Sequence, residues 1–219
     1  MATIEQFVFN HIEVNTYLVY DESLSCVVID PGMETPAENS SIENFIAARG
    51  LRVEAILLTH THFDHIAGLR WMYNHSQATV YLHPDSLEIM SHSEIYASVL
   101  GFDTGTLGEI PYQTINEGDS ISFGKSKIEV LYVPGHAAGS LCFCLHTEKA
   151  VFTGDALFRE SVGRTDLPTG NQEQLMANLR SKVMTLPDDY NVYPGHGPKT
   201  TIANEKAFNP FFNPAIRYF

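Results

Sequence analysis

The sequence predicts a mixed α/β fold in which two β-sheets are covered on their outer faces by helices. Three observations predict it: short apolar, β-branched segments recur along the chain, stretches of helical spacing interrupt them, and each half runs through roughly the same order, strands then helix. The 219 residues, 44% apolar and 18% charged, suffice for a sizeable core and read as one domain over residues 1–219.

Residues 4–9, 14–20 and 26–29 alternate apolar and polar side chains between polar turns, which predicts an antiparallel meander stopped by Asp30-Pro31-Gly32. Ile42, Phe45, Ile46 and Ala48 share one stripe of a helix over 36–49, and Gly50 stands where a helix C-terminus is expected. Residues 52–58 form the next strand. A short helix through Leu69, Trp71 and Met72 then leads to a strand at 79–82. The pattern weakens over 83–116, with helical pieces at 86–90 and 94–100 and a Gly-rich stretch at 101–108. This insert is expected to wall a groove, with Met90, Ile95, Tyr96, Val99, Leu100 and Phe102 packing in it or lining it. Strands follow at 120–123, 128–133, 141–145 and 150–152. Leu175, Met176, Leu179 and Val183 mark a helix over 172–184, and 191–193 is a last strand. The aromatic run from Phe208 to Phe219 is too apolar for a free tail and is expected to dock, by default on its own fold.

Thirteen Lys+Arg against twenty-six Asp+Glu give a formal net charge of −13, a field that repels nucleic-acid backbones and anionic membranes, and no basic run interrupts it. The longest apolar runs fall far short of the roughly 20 residues of a membrane span. The first residues lack a basic segment of the secretory kind, and three cysteines make no disulfide framework. A cytoplasmic protein acting on a small molecule is expected, with no nucleic-acid or membrane partner; a homo-oligomer is compatible with the sequence.

The chemistry concentrates in Thr59-His60-Thr61-His62-Phe63-Asp64-His65, directly after a strand. His60 and His62 are two apart, so in an extended segment their imidazoles leave the same side and can reach one cation. Asp64 and His65 follow where the chain turns into a helix and can address a second. By residue frequency, His-x-His-x-Asp-His arises in about one such chain in a thousand. His136, Asp155 and His196 each lie just past a strand in a Gly-containing turn, where side chains converge at one end of a rigid sheet scaffold.

These segments, together with Asn15-Thr16-Tyr17 and Asp30-Pro31-Gly32, resemble the metallo-β-lactamase superfamily and, within it, the glyoxalase II-like hydrolases. The resemblance covers essentially the whole chain and implies a four-layer αββα sandwich. It implies that His60, His62 and His136 bind one metal ion, that Asp64, His65 and His196 bind a second, and that Asp155 bridges the two. The donor set carries no thiolate and suits Zn2+, with iron and manganese also fitting. The implied activity is thioester hydrolysis of the hydroxyacylglutathione type, by attack of a metal-bridging hydroxide that Asp64 orients.

The residues leave several alternatives open. Ser161-Val162-Gly163-Arg164-Thr165-Asp166 looks like a motif shared with persulfide dioxygenases; Arg164 either binds a substrate carboxylate, braces the metal loop, or pairs with Asp166 at the surface. Asp30 and Thr59 either orient imidazoles or shape turns. Cys142 and Cys144 are better explained by a fully buried strand than by metal binding. His11, His75, His83, His92 and His146 read as surface or packing residues. Long-form glyoxalase II enzymes carry a helical C-terminal extension that contacts glutathione, and only residues 197–219 follow His196, so those contacts are expected to be largely missing. The rival functions are a mononuclear iron persulfide dioxygenase of the same fold and a non-catalytic metal-binding protein.

Overall fold

The computed structural model describes residues 1–101 and 104–216, without the side chain of Leu100. Phe102, the Leu100 side chain, Tyr218 and Phe219 lie outside the described residues.

Strand alternation sorts side chains to two faces, and the chain uses both. The first sheet consists of β1 (Ala2–Phe9), β2 (Val14–Asp21), β3 (Ser25–Ile29), β4 (Arg52–Leu57), β5 (Thr79–Leu82) and β6 (Tyr112–Thr114), in that spatial order. β1 to β3 pair antiparallel and β3 to β6 parallel. The second sheet is ordered β14-β13-β10-β9-β8-β7, from β7 (Ser120–Phe123), β8 (Ser126–Tyr132), β9 (Leu141–Leu145), β10 (Ala150–Gly154), β13 (Asn191–Pro194) and β14 (Thr200–Thr201). A small hairpin of β11 (Leu157–Phe158) and β12 (Ser161–Val162) stands apart.

Tyr17, Val19, Val27, Ile29 and Leu57 point from the first sheet into a core that Leu141, Phe143, Leu145 and Phe152 fill from the second. Each such buried side chain contributes about 1.5–3 kcal/mol. The intervening residues Leu18, Cys26, Val28 and Ile56 face outward onto Ile42 and Ile46 of α1 (Pro36–Arg49) and Leu69 and Met72 of α2 (Leu69–Ser76). Cys142 and Cys144 face the other way, onto Leu175 and Leu179 of α4 (Gln172–Ser181) and Ile202 of α5 (Ile202–Phe208). The result is helix, sheet, sheet, helix, the four-layer αββα order. Burial raises the Cys142 thiol well above its ordinary value and that of Cys144 to about 12, so both are packing groups.

Helix α1 forms where predicted. Thr35 and Glu38 close a reciprocal capping box, Pro36 opens the first turn, and Gly50 ends the helix at φ 63°. Elsewhere the elements differ from expectation. The pieces at 86–90 and 94–100 are one helix, α3 (Ser86–Leu100), because Ser91 returns its hydroxyl to Glu88 O at 2.7 Å and stays in the helix. The helix expected over 172–184 ends at Ser181 and gives way to a tighter turn, Val183–Thr185. β6, β11, β12 and β14 have two or three residues each, too short to show a period, and α5 has seven. The terminal aromatic run docks on its own fold through Phe212 in the outer core and Phe211 O, which accepts from Arg180 Nη2 at 3.1 Å. Among the described residues no helix is long and apolar enough to cross a membrane.

Candidate metal centre

β8 and β10 flank β9, each antiparallel to it, and β13 runs parallel to β10, so the C-terminal ends of β8, β10 and β13 reach one edge of the second sheet. The loop after β4 meets them there: Leu141 N donates to Thr59 O at 2.7 Å across the two sheets. His136, Asp155 and His196 arrive from those three ends, and His60, His62, Asp64 and His65 from the loop. Gly195 is required where the backbone closes on the cluster: a Cβ there would lie 2.2 Å from Asp155 Oδ1 and 2.7 Å from His65 Cε1.

All seven predicted side chains are brought together. The ligand atoms of His60, His62 and His136 lie within 4.8 Å of one another, and so do those of Asp64, His65 and His196. Asp155 stands between the two triads, with Oδ1 3.3 Å from His65 Nε2, and Oδ2 3.7 Å from His136 Nε2 and 3.8 Å from His196 Nε2. His136 Nε2 is 3.0 Å from His62 Nδ1, and His196 Nε2 is 3.1 Å from Asp64 Oδ2.

Hydrogen bonds on the far side of the rings aim them inward. Thr59 Oγ1 donates its one proton to Asp30 Oδ2 at 2.6 Å and so accepts from His60 Nδ1 at 3.1 Å, leaving His60 Nε2 directed into the cluster. His65 Nδ1 donates to Asp30 Oδ2 at 2.9 Å, His136 Nδ1 to Arg164 O at 2.8 Å and His196 Nδ1 to Glu13 O at 3.2 Å. Of the alternatives left for Asp30 and Thr59, orientation of imidazoles is what the geometry supports. The same contacts explain a third proximal grouping, Asp30 with His60 and His65: the Asp30 oxygens already accept from Thr59 N, Thr59 Oγ1 and His65 Nδ1.

The electrostatics divide the cluster. Burial, reinforced by neighbouring imidazoles, pushes His60 well below 6.5, His62 to about 4 and His136 downward, so these three are neutral and able to donate lone pairs. For His65 burial acts downward, but Asp64, Asp155 and Asp30 outweigh it and raise the imidazole well above 6.5. His196 is raised too, its burial offset by Asp64 and Asp155. Asp64 and Asp155 resist burial because these imidazoles hold their carboxyls low. His60 Nε2, His65 Nε2 and Asp155 Oδ1 are buried without a hydrogen-bond partner. Three unpartnered ligand atoms converging among imidazoles and ionised carboxylates fit a pair of divalent cations.

Arg164 touches the cluster through its carbonyl, and its side chain is exposed. The guanidinium makes a two-pronged pair with Asp166 at 2.7 and 2.8 Å, the surface pairing that the sequence left open, and bracing of the loop comes from its carbonyl instead. Sequence reasoning missed the carbonyls of Arg164 and Glu13, since a backbone acceptor carries no residue signature. Of the other histidines, His11 pairs with Glu34, His75 stacks on Trp71, His83 stacks on Tyr132 and His146 bonds Tyr190.

The family model of the metallo-beta-lactamase superfamily matches residues 11–196. A probable metallo-hydrolase of Streptococcus pyogenes is 40% identical, covering 93% of this chain and 88% of the relative. The hydroxyacylglutathione hydrolase GloC of Haemophilus influenzae is 32% identical over 91% and 92% of the two chains. Among solved structures, the B3 metallo-beta-lactamase BLEG-1 superposes with a TM-score of 0.87 at 32% identity, covering 96% and 99%. TTHA1623 in a di-iron-bound form gives 0.83 at 35%, covering 94% and 99%. Likeness of this extent in both sequence and fold leaves one assignment: the chain belongs to the metallo-beta-lactamase superfamily, whose members are metal-dependent hydrolases.

Proposed function

We propose that this protein is a binuclear hydrolase that cleaves a thioester of the hydroxyacylglutathione type. The observation that carries the proposal is Asp155, whose carboxylate reaches both triads, with Oδ1 3.3 Å from His65 Nε2 and Oδ2 3.7 and 3.8 Å from His136 Nε2 and His196 Nε2. His60, His62 and His136 would hold one cation, Asp64, His65 and His196 the other, with Asp155 shared. An imidazole and carboxylate set favours Zn2+, and the di-iron form of TTHA1623 supports iron as the next choice. When bound, such a pair polarises an acyl carbonyl and makes a water ionisable near neutral pH.

The remaining work falls to the chain. Asp64, kept ionised by His65 and His196, is the carboxylate that orients the attacking water. A leaving thiolate, from a thiol with a pKa of about 8.5, departs with little protonation, whereas an amide nitrogen is far more basic. This difference favours a thioester over a β-lactam for the same site, and the name of the Haemophilus relative points the same way. Metal stoichiometry separates this reading from the mononuclear iron dioxygenase, which takes a single iron.

The test is metal content of protein purified without chelators, coupled to a panel of thioesters, a β-lactam and a glutathione persulfide. Two metal ions per chain, thioester turnover, and loss of both in Asp155→Ala are expected. One iron per chain with oxygen consumption on the persulfide would replace this reading with the dioxygenase.

A further inference from the structure

The turn between β1 and β2, with the first residues of β2, touches two members of the second triad, Asp64 and His196, although none of its own side chains is among the seven. Asn10 Nδ2 donates to Gly32 O at 2.9 Å and to Asp64 O at 3.1 Å. Glu13 O accepts from His196 Nδ1. Asn15, which is buried, donates Nδ2 to Pro194 O and to Gly197 O, both at 2.9 Å, and its backbone N donates to Gly195 O at 2.7 Å. The chain on both sides of His196 is therefore fastened to Asn15, and the Asp64 backbone to Asn10.

The turn is itself held from behind. Glu38, in the first turn of α1, accepts from Asn10 N at 2.7 Å, and Asn10 Oδ1 accepts from Ile12 N at 3.0 Å. Asn10 sits at φ 52°, a left-handed conformation that asparagine tolerates better than most residues.

Asp64 and His196 are 132 residues apart in sequence and meet across the two sheets. Their triad needs something to set that separation. The His60, His62 and His136 triad is anchored elsewhere, by Thr59 Oγ1 and Arg164 O. We infer that the 10–15 turn is a clamp that fixes Asp64 against His196 and so gives the second triad its affinity for a divalent cation, with Asn10 and Asn15 as positioning residues. The inference rests on the binuclear reading above.

The experiment uses the full chain in equilibrium dialysis against buffered Zn2+, with the visible spectrum of Co2+-loaded protein as a second readout and thermal melting of the metal-free protein as a third. Asn10→Gly keeps the left-handed backbone and removes both side-chain donors. Asn15→Asp keeps the shape and turns a donor pair toward two carbonyls into an anionic oxygen. Val28→Ala, a core truncation in β3 that removes none of these hydrogen bonds, controls for general loss of stability.

The wild type and Val28→Ala are expected to bind two cations. Each asparagine variant is expected to keep one tight site and weaken the other tenfold or more, with the Co2+ spectrum reduced to that of a single site. Should Asn15→Asp fail to fold, Asn10→Gly alone decides. Unchanged affinity at both sites in Asn10→Gly, equal weakening of both, or selective loss of one site in Val28→Ala overturns the clamp. A wild type that takes up one cation or none overturns the binuclear reading and the clamp with it, whereas two cations in wild type and variants alike overturn the clamp alone.

Discussion

Asp30 Oδ2 accepts the Nδ1 proton of His65 at 2.9 Å, and both side chains are almost wholly excluded from solvent. Asp30 reaches this position from a left-handed backbone at φ 50°, a conformation that costs a non-glycine residue free energy and persists where surrounding contacts enforce it. Those contacts are Thr59 N and Thr59 Oγ1, at 2.7 and 2.6 Å. One carboxylate thus orients His65 directly and His60 through Thr59. Asp30→Asn replaces an anionic acceptor with a neutral amide of the same size. We expect metal affinity to fall by about 10–100-fold, read by chelator competition, with secondary structure retained in circular dichroism. Unchanged affinity would mean that Asp30 only shapes the turn.

Removing metal should cost stability as well as activity. Without a cation, His60 Nε2 is buried with no hydrogen-bond partner, and His65 Nε2 and Asp155 Oδ1 face each other at 3.3 Å without a well-formed hydrogen bond. A ligand at 1,000 times its dissociation constant stabilises the folded state by about 4 kcal/mol. In a chain of this size that corresponds to roughly 8–16 °C in melting temperature. Dialysis against a strong chelator is expected to lower the melting temperature by this order and re-addition of Zn2+ to restore it. A melt indifferent to chelation would mean that the cluster holds no tight cation.

Asp21 provides a pH dependence away from the centre. Burial alone would raise its carboxyl, but Ser23 Oγ, Ser23 N, Lys125 N and Ser126 Oγ all donate to it, and together they hold it at about 2 against 3.8 when unfolded. A carboxyl depressed by folding adds stability that is complete above its unfolded value and is lost as pH falls toward the folded one. The window is therefore about pH 4 down to pH 2, and the contribution about 1–2 kcal/mol once its nearness to the surface is allowed for. Denaturant titrations at pH 6, 4 and 2.5 should show wild type converging on Asp21→Asn as pH falls. Curves that stay parallel would contradict this.

How legible each part was in the sequence follows from what kind of atom does the work. His60, His62, Asp64, His65, His136, Asp155 and His196 stood out because lone-pair donors must be particular residue types, and the Gly135, Gly154 and Gly195 turns mark where strands end. The two-faced strands were legible in runs such as Leu141-Cys142-Phe143-Cys144-Leu145, apolar at every position because both faces are covered. The supports were not legible. Arg164 and Glu13 act through carbonyls that any residue would supply, and the side chain of Asn10 acts on a backbone oxygen 54 residues away. The hairpin of β11 and β12 has only two residues per strand, too few for alternation to register.

The Arg164 loop holds two separable functions, which makes its side chain a clean probe. The carbonyl accepts from His136 Nδ1 whatever side chain stands at the position, so truncation to alanine leaves that bond in place. The guanidinium and Asp166 are 62% and 68% exposed, and a solvated pair of this kind adds little stability. Arg164→Ala should therefore keep its metal content and melt within about 2 °C of wild type. If the guanidinium exchanges Asp166 for a substrate carboxylate, the loss must fall on binding. We expect KM for a carboxylate-bearing thioester to rise tenfold or more, kcat to change less than twofold, and a neutral thioester to be unaffected. Equal KM values for both substrates in wild type and variant would reduce Arg164 to its surface pair and its carbonyl. A parallel fall in kcat would instead mean that the side chain helps to set His136, which the exposed geometry of the Asp166 pair argues against.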